Sequence, residues 1–191
     1  MSVYDDKAAE KLGLEIYKMA SGAEFPEIAI ICIGTDRATG DSLGPLAGEI
    51  LESWLNGLGD KGVKLFGTLK RPVHALNLPE AVSRAAAGKN PFVIAVDACL
   101  GEEGKVGYLS TGFGAVRPGA AVNKALPRVG DIYVTGIVNT YIPGDGEAEQ
   151  ALLQSTRLSL VMKMARAIAE GIWFGVRMLA WSVYEPSAGG R

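Results

Sequence analysis

Two aspartates, Asp41 and Asp97, have the sequence setting that best suits catalysis. Asp41 follows a short loop after the apolar segment Glu27–Ile33, and Asp97 closes the apolar segment Pro91–Asp97. If these segments are neighbouring parallel strands, their carboxyl ends meet at one edge of the sheet and the carboxylates face each other. Two adjacent carboxylates cannot both ionise cheaply, so they can divide the roles of general acid and general base. Structural roles also fit, since Asp41 can cap the next helix and Asp97 can accept from loop amides.

The only histidine, His74, and the thiol of Cys99 offer a second kind of chemistry. A nucleophilic thiol needs a base and an electropositive setting, and His74 can supply the base. The nearby Asp97 works against this, because a negative charge raises the pKa of a thiol. The pair therefore supports a cysteine hydrolase as an alternative, beside a packed loop histidine and an inert thiol.

Known cofactor motifs are missing from the sequence. The loop Gly34–Gly40 lacks both the spacing of a dinucleotide fingerprint and the lysine of a phosphate loop. Cysteine and histidine do not occur at zinc-site spacing, so we predict neither a metal nor a cofactor. Asp36 and the backbone N–H groups near Gly34 or Gly101 are expected to support the aspartate pair.

Composition indicates one globular domain over residues 1–191. The chain is 48% hydrophobic and 21% charged, with a net charge of −2, which gives no basic surface for nucleic acid. Both cysteines, Cys32 and Cys99, lie in or beside apolar segments, as is usual in a reducing cytoplasm. The apolar stretch Ile172–Tyr184 is too short to span a membrane. We therefore expect a cytoplasmic protein without a membrane partner.

The first half of the chain reads as two successive β-α-β units. Strands are predicted at Glu27–Ile33, Val63–Gly67 and Pro91–Asp97, with a helix from Asp41 or Ser42 and another at Pro79–Ala87. Right-handed crossovers then give parallel strands with helices on both faces. We expect the first strand to lie between the other two.

The second half adds two strands and a helix, and an amphipathic helix precedes the first strand. The segments are Asp5–Ala20 (helix), Val106–Thr111 and Asp131–Asn139 (strands), and Ser155–Ile172 (helix). The predicted fold is an α/β three-layer sandwich with a mostly parallel or mixed central sheet. The apolar tail 173–191 is expected to pack on the body or on a second copy, so the chain can form a homo-oligomer.

Several ordered motifs resemble one family. They are Cys32–Pro45 (CIGTDRATGDSLGP), Pro72–Leu78 (PVHALNL), Ile94–Gly101 (IAVDACLG), Leu126–Asp131 with Thr135–Asn139, and Gln154–Ser159. The first is similar to the opening signature of the YyaC sporulation proteins, which are described as spore proteases. The resemblance covers about residues 25–172.

This resemblance implies a phosphorylase/hydrolase-like fold and an endopeptidase, since the family is similar to germination proteases and hydrogenase-maturation endopeptidases. By that likeness Asp41, before Leu-Gly-Pro, and Asp97, ending a buried strand, match two catalytic aspartates. The maturation enzymes also use a later histidine toward nickel, and this chain has none after His74. The implied substrate is a protein or peptide, with small spore proteins as the example. A binding protein that cleaves nothing is the third reading.

Overall fold

A computed structural model of the chain describes residues 1–22, 27–55, 62–88, 90–118, 126–142 and 146–184. The strands are β1 Glu27–Cys32, β2 Val63–Phe66, β3 Pro91–Gly101, β4 Leu109–Phe113 and β5 Ile132–Thr140. The helices are α1 Ala8–Ala20, α2 Leu43–Leu55, α3 Leu78–Ala86, α4 Gly146–Ser155 and α5 Leu158–Tyr184. Short 3₁₀ turns lie at Gly40–Ser42 and Glu103–Lys105.

The strands form one mixed sheet in the order β2-β1-β3-β5-β4. β1 pairs in parallel with both β2 and β3, and β3 pairs in parallel with β5. Only β4 runs antiparallel, along β5. The prediction that the first strand lies between the second and third is confirmed, and so is the mostly parallel, mixed sheet.

Alternate residues of the central strands build two separate cores. Ile28, Ile30 and Cys32 of β1 join the larger core with α1, α2 and α5. Ala29 and Ile31 face the opposite side and join a smaller core with α3. Because successive side chains of a strand point to opposite faces, the sheet is covered on both sides. This arrangement confirms the three-layer α/β sandwich.

The structure shifts several predicted boundaries, and the two largest corrections concern the ends of β3 and α5. Asp97 does not end its strand, because β3 continues to Gly101 with an irregularity in register between Cys99 and Leu100. The last helix does not stop at Ile172 but runs to Tyr184. Helix α4 was not predicted, since none of its residues is buried and its sequence carries no apolar stripe.

The helical tail packs largely on the body, as predicted, through Trp173 and Leu179. The ring of Trp173 lies 6.2 Å from that of Trp54 on α2, and Leu179 is buried in the larger core. Phe174, by contrast, is 41% exposed, and its packing on a second copy stays a prediction. The side chain of Trp181 lies outside the described residues. In the part of the chain that is described, no helix combines the length and the apolarity that crossing a bilayer requires.

Candidate functional site

A cavity of about 730 Å³ opens where β1 ends and β3 continues. Cys32, the last residue of β1, pairs with Val96, and β3 then extends from Asp97 to Gly101 without β1 beside it. Ligands of open α/β sheets bind at such a step, beyond the carboxyl ends of the strands. The polar residues that line it are Thr35, Arg37, Asp41, His74, Asp97, Cys99, Arg117, Tyr133, Thr135, Tyr141 and Glu149.

The backbone of Gly34 fixes the turn that brings Asp41 to this cavity. Gly34 has φ +143°, and a Cβ there would lie 2.0 Å from the carbonyl oxygen of Asp41. The N–H of Thr35 donates to that same oxygen at 3.1 Å. Only glycine tolerates both the backbone conformation and this close approach. The loop therefore closes tightly on the 3₁₀ turn that carries Asp41.

The carboxylate of Asp41 does not cap α2. Among the described residues no N–H donates to it, and the hydroxyl of Ser42 donates instead to the carbonyl of Thr39 at 2.6 Å. The expectation that Asp41 or Ser42 caps the helix is therefore wrong. Partial burial raises the pKa of Asp41 above its ordinary value. This carboxylate is thus kept in the cavity without a structural hydrogen bond among those residues.

Asp97 holds a proton far more tightly than an ordinary aspartate. Burial and then the negative charge of Asp41 raise its pKa to about 8, against the N–H of Ala98, which donates to Oδ1 at 2.9 Å. Because the charge of Asp41 acts on Asp97, Asp41 ionises first. Near pH 7 the pair therefore holds one carboxylate and one carboxylic acid, which is the arrangement that acid–base catalysis by two aspartates needs.

Cys99 lines the same cavity but is a poor nucleophile. Burial and the charge of Asp97 raise the pKa of its thiol to about 11, although a hydrogen bond from Thr135 opposes the rise. Its Sγ donates to the carbonyl of Gly136 at 3.5 Å. The group is therefore a neutral thiol at physiological pH, as its neighbour Asp97 led us to expect.

His74 lies in the cavity wall, where it organises a turn. Its Nδ1 accepts the backbone N–H of Leu76 at 3.3 Å, and its own backbone N–H donates to Oδ1 of Asn77 at 2.8 Å. Nδ2 of Asn77 in turn donates to the carbonyl of Pro72 at 2.9 Å. These bonds fit a histidine that holds a loop.

The residues expected to support the aspartate pair lie at different places around the cavity. Asp36 is exposed and does not line the cavity. The N–H of Gly34 already donates to the carbonyl of Val73 at 2.8 Å, so it cannot bind an oxyanion. Gly101 lies outside the cavity lining, at the far end of β3, where its carbonyl accepts the N–H of Tyr141.

Other polar residues of the cavity were missed in the sequence. Arg37 and Arg117 lie on loops, and no carboxylate among the described residues forms an ion pair with either. Thr135 is the register partner of Asp97 on β5, so its place follows once the pairing is known. Glu149 comes from the unpredicted α4. Within the described residues, no three His, Cys, Asp or Glu side chains are grouped so as to hold a metal ion.

Comparison with known proteins decides the family. The model of the family "Protein of unknown function (DUF1256)" matches residues 1–171. The chain belongs to this family. It is also 44% identical over 169 residues, 88% of its length, to "Uncharacterized protein YyaC" of Bacillus subtilis (strain 168), of which the match covers 78%. The resemblance to the YyaC proteins seen in the sequence motifs is thereby confirmed.

One solved structure is more distantly similar. The [NiFe] hydrogenase maturation protease HycI of Thermococcus kodakarensis KOD1 matches with a TM-score of 0.47 and 21% identity, over 78% of this chain and 93% of that chain. A likeness of this degree does not transfer the activity of that protease to this chain.

Proposed function

We propose that the protein is a peptidase in which Asp41 and Asp97 act together on a water molecule. The observation that supports this most strongly is that both side chains line one cavity and interact there, so that the charge of Asp41 raises the pKa of Asp97. A carboxylate beside a carboxylic acid supplies a base and an acid at the same pH. No other pair of groups in the cavity combines these two properties among the residues described.

In the proposed reaction the Asp41 carboxylate accepts a proton from water, whose oxygen attacks the peptide carbonyl carbon. Asp97 donates its proton to the carbonyl oxygen as the C=O double bond opens. The guanidinium of Arg37, from the same loop as Asp41, stabilises the negative charge that develops there. The resulting gem-diol then collapses: one hydroxyl returns its proton to Asp97 as the C=O bond re-forms, the C–N bond breaks and the proton on Asp41 passes to the leaving nitrogen. The products are a carboxylic acid and an amine, and both aspartates regain their starting protonation states.

The cysteine hydrolase is the less well supported alternative. With a pKa of about 11, only about one Cys99 thiol in ten thousand is ionised at pH 7. His74 already accepts the N–H of Leu76 through Nδ1, and the thiol of Cys99 donates to the carbonyl of Gly136 rather than to His74. The charge of Asp97 is one of the causes of this raised pKa.

The resemblance to spore proteases makes small spore proteins the first substrates to examine. We place the activity in the cytoplasm, because both Cys32 and Cys99 are free thiols, as a reducing compartment keeps them.

Incubating the protein with a diverse mixture of synthetic decapeptides and identifying products by mass spectrometry tests the proposal. Asp41→Asn and Asp97→Asn should each lower the cleavage rate by roughly 10²–10⁴-fold, the usual contribution of acid–base catalysis. The double variant should be little worse than either, because the residues act as one unit.

The matched control is Asp36→Asn, which changes an exposed carboxylate of the same loop and should leave the rate unchanged. Cys99→Ser and His74→Gln should retain most of the activity. Parental rates in both aspartate variants, or no cleavage by the parent protein, would contradict the proposal. An inactive Cys99→Ser would favour the cysteine hydrolase.

A further inference from the structure

We infer that the cavity selects an extended peptide segment with a large apolar side chain on each side of the bond to be cut. This inference rests on the proposed function and names its substrate class. It follows from two apolar walls that line the same cavity as Asp41 and Asp97, and from charges of opposite sign on those walls.

The α3-side wall consists of Leu76, Val116 and Leu126. Val116 and Leu126 pack against the smaller core, under α3. Leu76, just before α3, is 80% exposed, although it lies in an ordered turn. A leucine so exposed at a cavity mouth leaves apolar surface in water, which a bound apolar side chain would cover.

The turn around Leu76 is braced. The backbone N–H of Leu76 donates to Nδ1 of His74, and the side chain of Asn77 bonds both the N–H of His74 and the carbonyl of Pro72. These bonds hold the turn in place before any ligand arrives. Ordering the turn therefore costs little of the free energy of peptide binding. They also explain why a histidine and an asparagine stand beside an exposed leucine.

The α5-side wall consists of Leu100 and Leu153. Both pack against the larger core, on the other face of the sheet from Val116 and Leu126. The two walls therefore lie on opposite sides of the sheet edge. Successive side chains of an extended peptide also point to opposite sides, so one peptide can place a side chain against each wall.

Each wall carries its own charge. Arg117 follows Val116 on the α3-side wall, and Glu149 lies one helical turn before Leu153 on the α5-side wall; both line the cavity. Arg117 forms no ion pair with the described carboxylates. An acidic residue of the peptide should therefore lie toward Arg117 and a basic one toward Glu149, which fixes the direction of binding.

Binding of fluorescent decapeptides to the Asp97→Asn protein tests this selection without requiring cleavage. A peptide with central Leu-Leu should bind at least about tenfold more tightly than the same peptide with Ser-Ser, as expected for burying apolar side chains. Leu76→Ser should remove most of that preference. The matched control is Leu14→Ser on α1, another exposed leucine (45%) outside the cavity lining, which should change nothing.

The charges are tested with two Leu-Leu peptides, one with acidic residues before and basic residues after the pair, the other reversed. The protein with Arg117 and Glu149 unchanged should bind one of the two peptides more tightly. Arg117→Glu combined with Glu149→Lys should make the other peptide the tighter binder. Equal binding of Leu-Leu and Ser-Ser peptides, or no effect of Leu76→Ser, overturns the inference. Apolar selection without cleavage by the parent protein would refute only the peptidase, whereas cleavage without selection would refute only the substrate class.

Discussion

The two aspartates differ because their surroundings differ. Asp97 lies on β3, which continues past the end of β1. Its carboxyl group is largely enclosed, and this burial is the main reason that it keeps its proton to about pH 8. Asp41 lies on a short turn at the cavity wall, and no described N–H donates to its carboxylate. Neither carboxylate is explained by a capping or ion-pairing role among the described residues. Buried carboxyl groups of this kind lower the stability of a fold, and they are characteristic of functional sites.

The raised pKa of Asp97 predicts a pH-dependent cost in stability. The unfolded chain releases this proton near the ordinary pKa of 3.8, whereas the folded protein keeps it to about 8. The contribution of Asp97 to stability is thus fully present below about pH 4 and is lost as the pH rises to about 8, by up to about 1.4 kcal/mol per pH unit.

Asp97→Asn removes this titration, so the variant should gain stability relative to the parent between pH 5 and pH 8. Urea unfolding of both proteins at those two pH values measures the difference. Asp36→Asn, a change of an exposed carboxylate outside the cavity lining, controls for general charge effects. A stability difference that does not change with pH would show that Asp97 titrates normally.

At the scale of elements, the sequence predicted best the segments that burial dictates. The strands β1 and β3 are buried on both faces, so their continuous apolar runs were recognisable. Helix α4 buries none of its residues and was missed, although Asn139 holds it by donating to the carbonyl of Leu152 at 2.9 Å. Its contribution of Glu149 and Leu153 to the cavity could not be foreseen.

Gly34 provides a test of the turn that positions Asp41. In Gly34→Ala the new Cβ would meet the carbonyl oxygen of Asp41 at 2.0 Å, at a φ of +143° that alanine rarely adopts. The turn must shift, and we expect activity to fall at least tenfold, since displacement of a catalytic group by about 1 Å is costly.

Gly104→Ala is the control for this change, because nothing lies within 4 Å of a Cβ at that position. Cleavage rates and thermal unfolding of the two variants give the comparison. If Gly34→Ala were as active as Gly104→Ala, the close approach would not determine the position of Asp41.

At the scale of the whole molecule, the feature of the site that could be predicted from the sequence is the order of the strands. Two β-α-β units, together with the placing of the two aspartate motifs, predicted that the first and third strands lie side by side, and this order brings Asp41 and Asp97 to one edge. Arg37 and Arg117 could not be assigned, because they lie on loops whose paths depend on tertiary packing. The hydrogen bond of the Gly34 N–H to the carbonyl of Val73 depends on tertiary packing in the same way.

The extension of α5 beyond Ile172 should stabilise the whole fold. Trp173 packs against Trp54, and Val176 and Leu179 are buried in the larger core. Trp173→Ala should therefore lower the free energy of unfolding by about 3 kcal/mol, as for other large-to-small changes in a core. Met162→Ala, at a 44% exposed position of the same helix, should cost far less. Equal melting temperatures for the two variants would show that this part of the helix does not support the core.

The claim that Asp41 and Asp97 form one acid–base unit is tested most directly by a carboxyl-carbon NMR titration. With ¹³C-labelled aspartate, the Asp97 signal, assigned by its absence in Asp97→Asn, should titrate with an apparent pKa near 8. In Asp41→Asn it should titrate at lower pH, because one charge is gone, yet still above its ordinary value, because burial remains. Titration of Asp97 near pH 4, or an unchanged pKa in Asp41→Asn, would contradict the claim.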